Sequence, residues 1–170
     1  KVSMKKVILS IFSILSLNPV HAGDTLRALF IGNSYTYVNT LPDVIGHLAA
    51  SDGTTLVYDI SAPGGSTLQQ HCGNSTTLNL IQQGNWDYVI LQEQSQLPSF
   101  PDNQVESEVY PFAKRLDSLV HVYNYCAKTV FYMTWGRKNG DQQNCPGFPV
   151  LCTYEGMDSL LQLRYTAMAD

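Results

Sequence analysis

The chain has 170 residues, 44% of them hydrophobic and 14% charged, which is enough for one domain with a sizeable core and too little for two. Its formal net charge is −4 and no basic run is longer than two residues, which argues against a nucleic-acid partner because phosphate binding needs a concentrated basic patch. The cysteines and histidines show no zinc-ligand spacing, and we expect no metal ion and no cofactor.

The N-terminus is predicted to be a secretory signal peptide. Two lysines precede an apolar run over residues 7–17, and Ala22 ends a small-residue cleavage site. This run is too short to cross a bilayer, which takes roughly 20 residues. Residues 1–22 are therefore assigned to the signal peptide and its upstream residues, and residues 23–170 to one domain. We expect a secreted or periplasmic protein with no stable membrane span after cleavage.

Strand-like and helix-like segments alternate along residues 23–170. Apolar, β-branched runs predict strands over 26–31, 54–60, 87–91 and 129–135. Helical spacing predicts helices over 41–51 with Thr40 as N-cap, 75–83 before Gly84, 103–123 with an irregularity at Pro111, and 156–169. Such alternation indicates an α/β fold with a parallel sheet covered on both faces.

Polar and glycine-rich segments follow each predicted strand. They are Gly32-Asn33-Ser34, then Pro63-Gly64-Gly65-Ser66, then the segment QEQSQ at 92–96, and finally Thr134-Trp135-Gly136-Arg137. Ligands of parallel sheets bind beyond the carboxyl ends of the strands, so these segments predict a site at one edge. A serine displayed on a tight turn after a buried strand indicates a nucleophile, with Gly32 allowing the sharp turn. The alternative is that Ser34 only caps a helix or bonds its own loop.

Residues 26–137 resemble the SGNH/GDSL hydrolase superfamily, and in particular a bacterial subgroup of secreted SGNH-like proteins. The resemblance is carried by FIGNSYT, APGGST and DYVILQEQSQ, which are similar to the first three sequence blocks of that family. It implies a flavodoxin-like three-layer α/β/α sandwich. We expect the sequence to contain four strands of that fold and to lack its fifth strand and last helix.

The resemblance also implies a site for ester hydrolysis. Ser34 stands where the family has its nucleophile, and the oxyanion hole would be formed by Ser34, Gly64, Gly65 and a side-chain amide. The family's Gly-x-Asn does not occur in this segment, so the amide would belong to Gln94 or Gln96. Both glutamines remain alternatives. The three glutamines 92, 94 and 96 alternate and are predicted to share one face of an extended strand.

The predicted substrate is a small-molecule or carbohydrate ester, with an O-acylated sugar expected by analogy. Residues predicted to line it are Asn33, Tyr35, His71 and Trp135. The two aromatic side chains, with Tyr37, would stack on a sugar or pack in the core. The alternative function is a non-catalytic carbohydrate- or surface-binding module. A nucleotide or phosphate binder is disfavoured, because neither Gly-Lys-Ser/Thr nor Gly-x-Gly-x-x-Gly occurs.

The catalytic base of the family has no counterpart in this sequence. The family places an Asp-x-x-His motif near its C-terminus, whereas none of the four histidines here follows Asp-x-x. His47 and His121 lie four residues after an aspartate, a spacing typical of pairs on a helix surface. We expect a chain truncated before the motif and nearly inactive on its own.

A loop of about 20 residues follows the fourth predicted strand, and loops of that length are usually functional or cross-linked. Cys145 and Cys152 enclose a short segment rich in proline and glycine, and we predict a disulfide between them. Cys72 and Cys126 are predicted to be free, buried thiols.

Overall fold

The computed structural model describes residues 23–170. Four parallel strands form one sheet in the order β2-β1-β3-β4. The strands are β1 (Thr25–Ile31), β2 (Thr55–Ser61), β3 (Tyr88–Leu91) and β4 (Lys128–Phe131). The helices are α1 (Ser34–Tyr37), α2 (Leu41–Ser51), α3 (Leu68–His71), α4 (Ser75–Gln82), α5 (Asp102–Glu108), α6 (Tyr110–Tyr123) and α7 (Tyr154–Ala169). Short 3₁₀ turns lie at Val38–Thr40, Leu97–Ser99 and Pro149–Cys152.

The predicted α/β class and parallel sheet are confirmed, and the predicted elements lie close to the observed ones. The irregularity predicted near Pro111 is a break at Val109, which separates α5 from α6. Gly84 has a φ of +62° just after α4, the left-handed conformation that commonly ends a helix. Thr40 occupies the N-cap position of α2 as predicted, but its backbone is left-handed and its side chain makes no capping hydrogen bond.

The two faces of the sheet are covered differently. One face carries Leu29 and Leu91, which are fully buried in a core formed with α4 and α6. The other face carries Phe30, which is 2% exposed, and α2 packs on this side against β2. Register places Val130 of β4 on this second face, where its side chain is 41% exposed. Within residues 23–170, the second face is therefore covered mainly over β1 and β2.

The long connection between β4 and α7 is cross-linked as predicted. Cys145 and Cys152 form a disulfide with their Cα atoms 4.8 Å apart. Cys72 is a buried free thiol, as predicted, whereas Cys126 is free but exposed, so the prediction that Cys126 is buried is wrong. No helix within residues 23–170 is long and apolar enough to span a membrane. The predicted signal peptide, residues 1–22, lies outside the described residues.

Candidate functional site

Ser34 is the first residue of α1 and lies only three positions after the end of β1. Gly32 makes this tight connection possible because a Cβ there would overlap the side chains of Thr36 and Gln92. Glycine is thus required at position 32 because the side chains behind the turn leave no room for a Cβ. From the sequence, the expected reason was the conformational freedom of glycine in a sharp turn. Ser34 is partly exposed, and no hydrogen bond within residues 23–170 uses its hydroxyl or its backbone N–H.

Asn33 fastens the serine turn to two neighbouring loops. Its Oδ1 accepts hydrogen bonds from Tyr35 N–H and from Gln92 Nε2, both at 3.1 Å, and its Nδ2 donates to Ser66 O at 2.9 Å. The side chain is 2% exposed and both of its polar atoms are occupied. The prediction that Asn33 lines the substrate is therefore wrong, and its role is to hold three strand-end segments together.

His71 lies behind the serine turn, where it is 1% exposed. Its Nε2 donates to Gly32 O at 2.8 Å, so Nδ1 carries no proton and accepts from the Thr77 hydroxyl at 2.8 Å. The Thr77 oxygen then accepts from the Ser61 hydroxyl, also at 2.8 Å. Burial lowers the pKa of His71 below its ordinary value, although the bond to Gly32 opposes this shift. The prediction that His71 lines the substrate is wrong, because the neutral imidazole is enclosed and supports the turn.

Gln92 is a site residue that the sequence reasoning left without a role. It is fully buried, and its Oε1 accepts from Asn33 N–H at 3.1 Å and from the Thr36 hydroxyl at 2.8 Å. The sequence could have indicated this role through the position of Gln92 as the first residue after β3. In the structure, β3 pairs directly with β1 and so brings Gln92 next to the serine turn. The predicted alternation of three glutamines on one face is wrong because β3 ends at Leu91.

Gln94 and Gln96, the two candidates for the oxyanion amide, lie at the same edge of the sheet. Gln94 Oε1 accepts from the backbone N–H groups of Gln96 and Leu97, at 3.0 and 3.1 Å. Gln96 Oε1 accepts from the guanidinium of Arg137. Both side chains are partly buried, and each still has its amide N–H₂ as a donor. That either Gln94 or Gln96 faces an oxyanion stays a prediction.

Glu93, which lies between Gln92 and Gln94 in the sequence, has a fully buried carboxyl group. Its carboxylate accepts from Leu68 N–H at 3.1 Å and from Gln94 N–H at 2.6 Å. Burial raises its pKa to about 7, although these two backbone bonds act in the opposite direction. The Glu93 N–H donates to the hydroxyl of Tyr165 at 3.1 Å, which ties α7 to the end of β3. Burial also raises the pKa of Tyr165, so that phenol stays protonated.

The Gly64-Gly65 turn lies beside α1, which ends at Tyr37. Gly65 has a φ of +73°, which favours glycine, and Ser66 N–H donates to Pro63 O at 3.1 Å to close the turn. A Cβ at Gly64 would lie 3.5 Å from the hydroxyl of Tyr37. Both glycines are exposed, so their N–H groups are accessible from solvent.

A cavity of about 350 Å³ opens beside Ser34. Three of the predicted site residues meet there, Ser34, Tyr35 and Trp135, and the two aromatic rings lie with centroids 4.8 Å apart. The other lining residues were not predicted: Val38, Asn39, Leu41, Val44 and Tyr132. The glycine turn and the two glutamines do not line this cavity. Within residues 23–170, no group of three or more histidine, cysteine or acidic side chains could hold a metal ion.

Comparison with known proteins identifies structural similarity but no sequence family. No protein-family model matches the sequence, and no curated protein matches it. The structure is similar to the crystal structure of a DUF4886 family protein from Bacteroides uniformis, with a TM-score of 0.68 and 15% sequence identity. The similarity covers 86% of this chain and 63% of that one, so the chain spans less than two thirds of its relative. This likeness establishes the fold.

The shared fold is an α/β sandwich of the flavodoxin-like type. All four strands are parallel, and the sheet order β2-β1-β3-β4 matches the order that defines that fold. In such sheets the connections leave β1 and β3 in opposite directions, which opens a crevice beyond their carboxyl ends. Ser34 and Gln92 follow these two strands, so the candidate site lies at this crevice.

Proposed function

We propose that the protein is a serine ester hydrolase of the SGNH type, with Ser34 as its nucleophile. The observation that carries the proposal is the placement of Ser34. Its hydroxyl is free of hydrogen bonds to residues 23–170, lies at the crevice between β1 and β3, and faces a cavity. A structural serine at a helix start normally caps the helix with its hydroxyl, and here Asn33 performs that function instead.

The proposed reaction is acyl transfer to Ser34. Its Oγ attacks the ester carbonyl, a new C–O bond forms, and the alcohol leaves with the proton that the hydroxyl lost. Water then attacks the acyl-serine, which releases the carboxylic acid and restores the hydroxyl. Both steps pass through an oxyanion, and catalysis requires donors aimed at the position where that charge develops.

The donors available for the oxyanion support the proposal. Ser34 N–H is the first amide of α1 and has no partner in the described chain. The exposed N–H groups of Gly64 and Gly65 lie on the turn next to α1 and likewise make no bond to residues 23–170. We propose that these three amides, with Gln94 or Gln96, form the oxyanion hole.

The proposal requires a base that residues 23–170 do not bring to the serine. None of their hydrogen bonds joins the Ser34 hydroxyl to a histidine, and His71 bonds Gly32 O from the buried side of the turn. An unactivated serine hydroxyl is a weak nucleophile. We therefore expect the 170-residue chain to turn over esters very slowly and to respond to an added base.

A second candidate function is non-catalytic carbohydrate binding on the same fold. It is favoured by the same lack of a base and by the aromatic pair, in which Trp135 is 48% exposed and available to stack on a sugar ring. This candidate predicts sugar binding without hydrolysis. For the esterase, an acylated carbohydrate remains the proposed substrate class.

The test supplies the missing base as free imidazole. We expect imidazole to raise p-nitrophenyl acetate turnover by the chain, and Ser34→Ala to abolish the increase above the background hydrolysis by imidazole. The matched control is Ser75→Ala, since Ser75 is also the first residue of a helix with an asparagine N-cap. Equal turnover by wild type, Ser34→Ala and Ser75→Ala would disprove the role of Ser34.

A further inference from the structure

We propose that the cavity beside Ser34 binds an uncharged aliphatic chain, which in the proposed reaction is the acyl part of the ester. The identification of the chain as an acyl group rests on the proposed function. The binding of an aliphatic chain does not, because it follows from the walls of the cavity.

Apolar side chains surround most of the cavity. Val38, Leu41 and Val44 come from the 3₁₀ turn and α2, and the aromatic rings of Tyr35, Tyr132 and Trp135 complete the walls. None of the lining residues is acidic, basic or histidine. Burial raises the pKa of Tyr132, so its phenol carries no charge at neutral pH. A charged ligand would find no opposite charge here.

The polar groups of the lining lie on a few residues. Ser34 and Asn39 are the polar lining residues besides the two tyrosines, and Ser34 marks the position of the reacting carbonyl. A sugar would find few hydrogen-bond partners on these apolar walls, and burying a hydroxyl group against them without a partner is costly. A hydrocarbon chain needs no partners beyond its carbonyl end. The sugar of an acylated carbohydrate would instead lie outside, against the exposed side of Trp135.

The size of the cavity favours a short or medium-length chain. Its volume of about 350 Å³ is near the lower end of the range for small-molecule sites, about 300 to 1,000 Å³. A chain that fills it gains affinity with each methylene that leaves water, by about fourfold per methylene. This increase ends when the chain becomes longer than the cavity.

Trp135 makes the binding directly measurable. The chain has two tryptophans, of which Trp86 is 2% exposed in the core and Trp135 is 48% exposed at the cavity. We expect butanol, hexanol and octanol to change tryptophan fluorescence saturably, with affinity rising by about fourfold per methylene. Butylammonium and hexylammonium should not bind. Trp135→Phe should remove the fluorescence change while saturation-transfer NMR still detects the alcohols.

Two variants on one helix separate specific from general binding. Val44→Asp places a carboxylate in the cavity wall and should weaken hexanol binding at least tenfold. Leu48→Asp makes the same change one turn along α2, at a residue that is 66% exposed and does not line the cavity, and should leave binding unchanged. If Val44→Asp fails to fold, Val38→Asp makes the same test from the 3₁₀ turn.

Three outcomes would overturn the inference: no saturable binding, no dependence on chain length, or equal loss of binding in Val44→Asp and Leu48→Asp. The result is independent of catalysis, because binding of the alcohols is measured without any ester or turnover. If the alcohols bind but Ser34→Ala keeps full turnover, the esterase proposal fails and the aliphatic site stands. If turnover depends on Ser34 but the alcohols do not bind, only the present inference fails.

Discussion

Glu93 shows how a single buried residue can couple the site to pH. Its side chain is fully buried, and burial raises its pKa to about 7 from an ordinary value near 4.5. The folded protein therefore holds a proton on Glu93 between these two pH values, whereas the unfolded chain has released it. This contribution to stability is fully present below about pH 4.5 and is lost as pH rises through about 7.

Glu93→Gln should remove this pH dependence. A glutamine side chain stays neutral, and its oxygen can still accept hydrogen bonds from the N–H groups of Leu68 and Gln94. The free energy of unfolding of the variant therefore does not fall through ionisation at position 93. Relative to the wild type, the variant should gain about 3 kcal/mol between the lower and upper limits of that pH window. Urea unfolding at intervals across the window measures the difference.

The contribution of His71 to stability changes with pH in the opposite direction to that of Glu93. The effect of Glu93 is therefore measured as the difference in unfolding free energy between the variant and the wild type. Burial lowers its pKa from 6.5, so the unfolded chain binds the extra proton and this contribution to stability rises with pH through that region. Glu106→Gln makes the same chemical change at an exposed residue of α5 and provides the control for the loss of one carboxyl group. A Glu93→Gln profile parallel to that of the wild type would show that Glu93 ionises normally in the folded protein.

The residues of the site differ in how far the sequence could predict them. The position of Ser34 on a tight turn after β1 was predictable, because a buried strand followed by a glycine is a local pattern. The roles of Asn33 and His71 were not, since their burial depends on Gln92, Ser66 and Thr77, which come from distant parts of the chain. Residue type predicts what a side chain can donate or accept, and tertiary packing decides which partners it meets.

Among the elements, the connection between β4 and α7 depends most on a covalent link. It has little regular structure apart from the 3₁₀ turn Pro149–Cys152, and the disulfide closes its second half. Asp141 N–H also donates to Leu151 O at 2.7 Å, and Leu151 is fully buried against α7. The loop thus combines one covalent link with one buried apolar anchor.

Removing the disulfide should destabilise the protein by an amount set by its small loop. Cys145 and Cys152 are seven residues apart, and closing so short a loop contributes about 2 to 3 kcal/mol by the chain-entropy estimate. The double variant Cys145→Ser/Cys152→Ser should lose about this much of its free energy of unfolding. Urea unfolding compares it with Cys126→Ser, which changes an exposed free thiol and should be neutral. Equal stability of the two variants would mean that Leu151 alone fixes the loop.

The boundaries of elements were harder to predict than their existence. The apolar pattern continues through Met133 to Trp135, so the fourth strand was predicted to end at residue 135. Pairing ends earlier, because Tyr132 N–H donates to Leu91 O and β3 offers no further partner. The four-residue α1 was missed because one turn is too short to show helical periodicity, and left-handed residues at Asn39 and Thr40 separate it from α2.

At the scale of the whole molecule, the sheet order determines which strands are enclosed. β1 pairs with β2 on one side and with β3 on the other, whereas β4 pairs with β3 alone within residues 23–170. Residues 28–31 of β1 are all at most 3% exposed. The class and strand positions were predictable from alternating apolar segments, but the order required contacts between strands far apart in sequence.

Amide hydrogen exchange should distinguish the central strand β1 from the edge strand β4. In a parallel pair, successive amides of a strand point to opposite sides, so every amide in the paired part of β1 is bonded and should exchange slowly. In β4, Lys128 and Tyr132 donate N–H to Asp87 O and Leu91 O, which places the Val130 amide on the same side. The amides of Thr129 and Phe131 point to the outer edge and should exchange at least tenfold faster than that of Val130.

Exchange measured by NMR at low protein concentration is the direct test, because it reads each amide separately. Slow exchange at Thr129 and Phe131 equal to that at Val130 would contradict an open edge and indicate that another strand pairs with β4 in solution. Repeating the measurement at high concentration separates pairing between copies from pairing within the chain, since only the former depends on concentration. Fast exchange throughout β1 would contradict the central position of that strand, and with it the placement of Ser34 at the crevice.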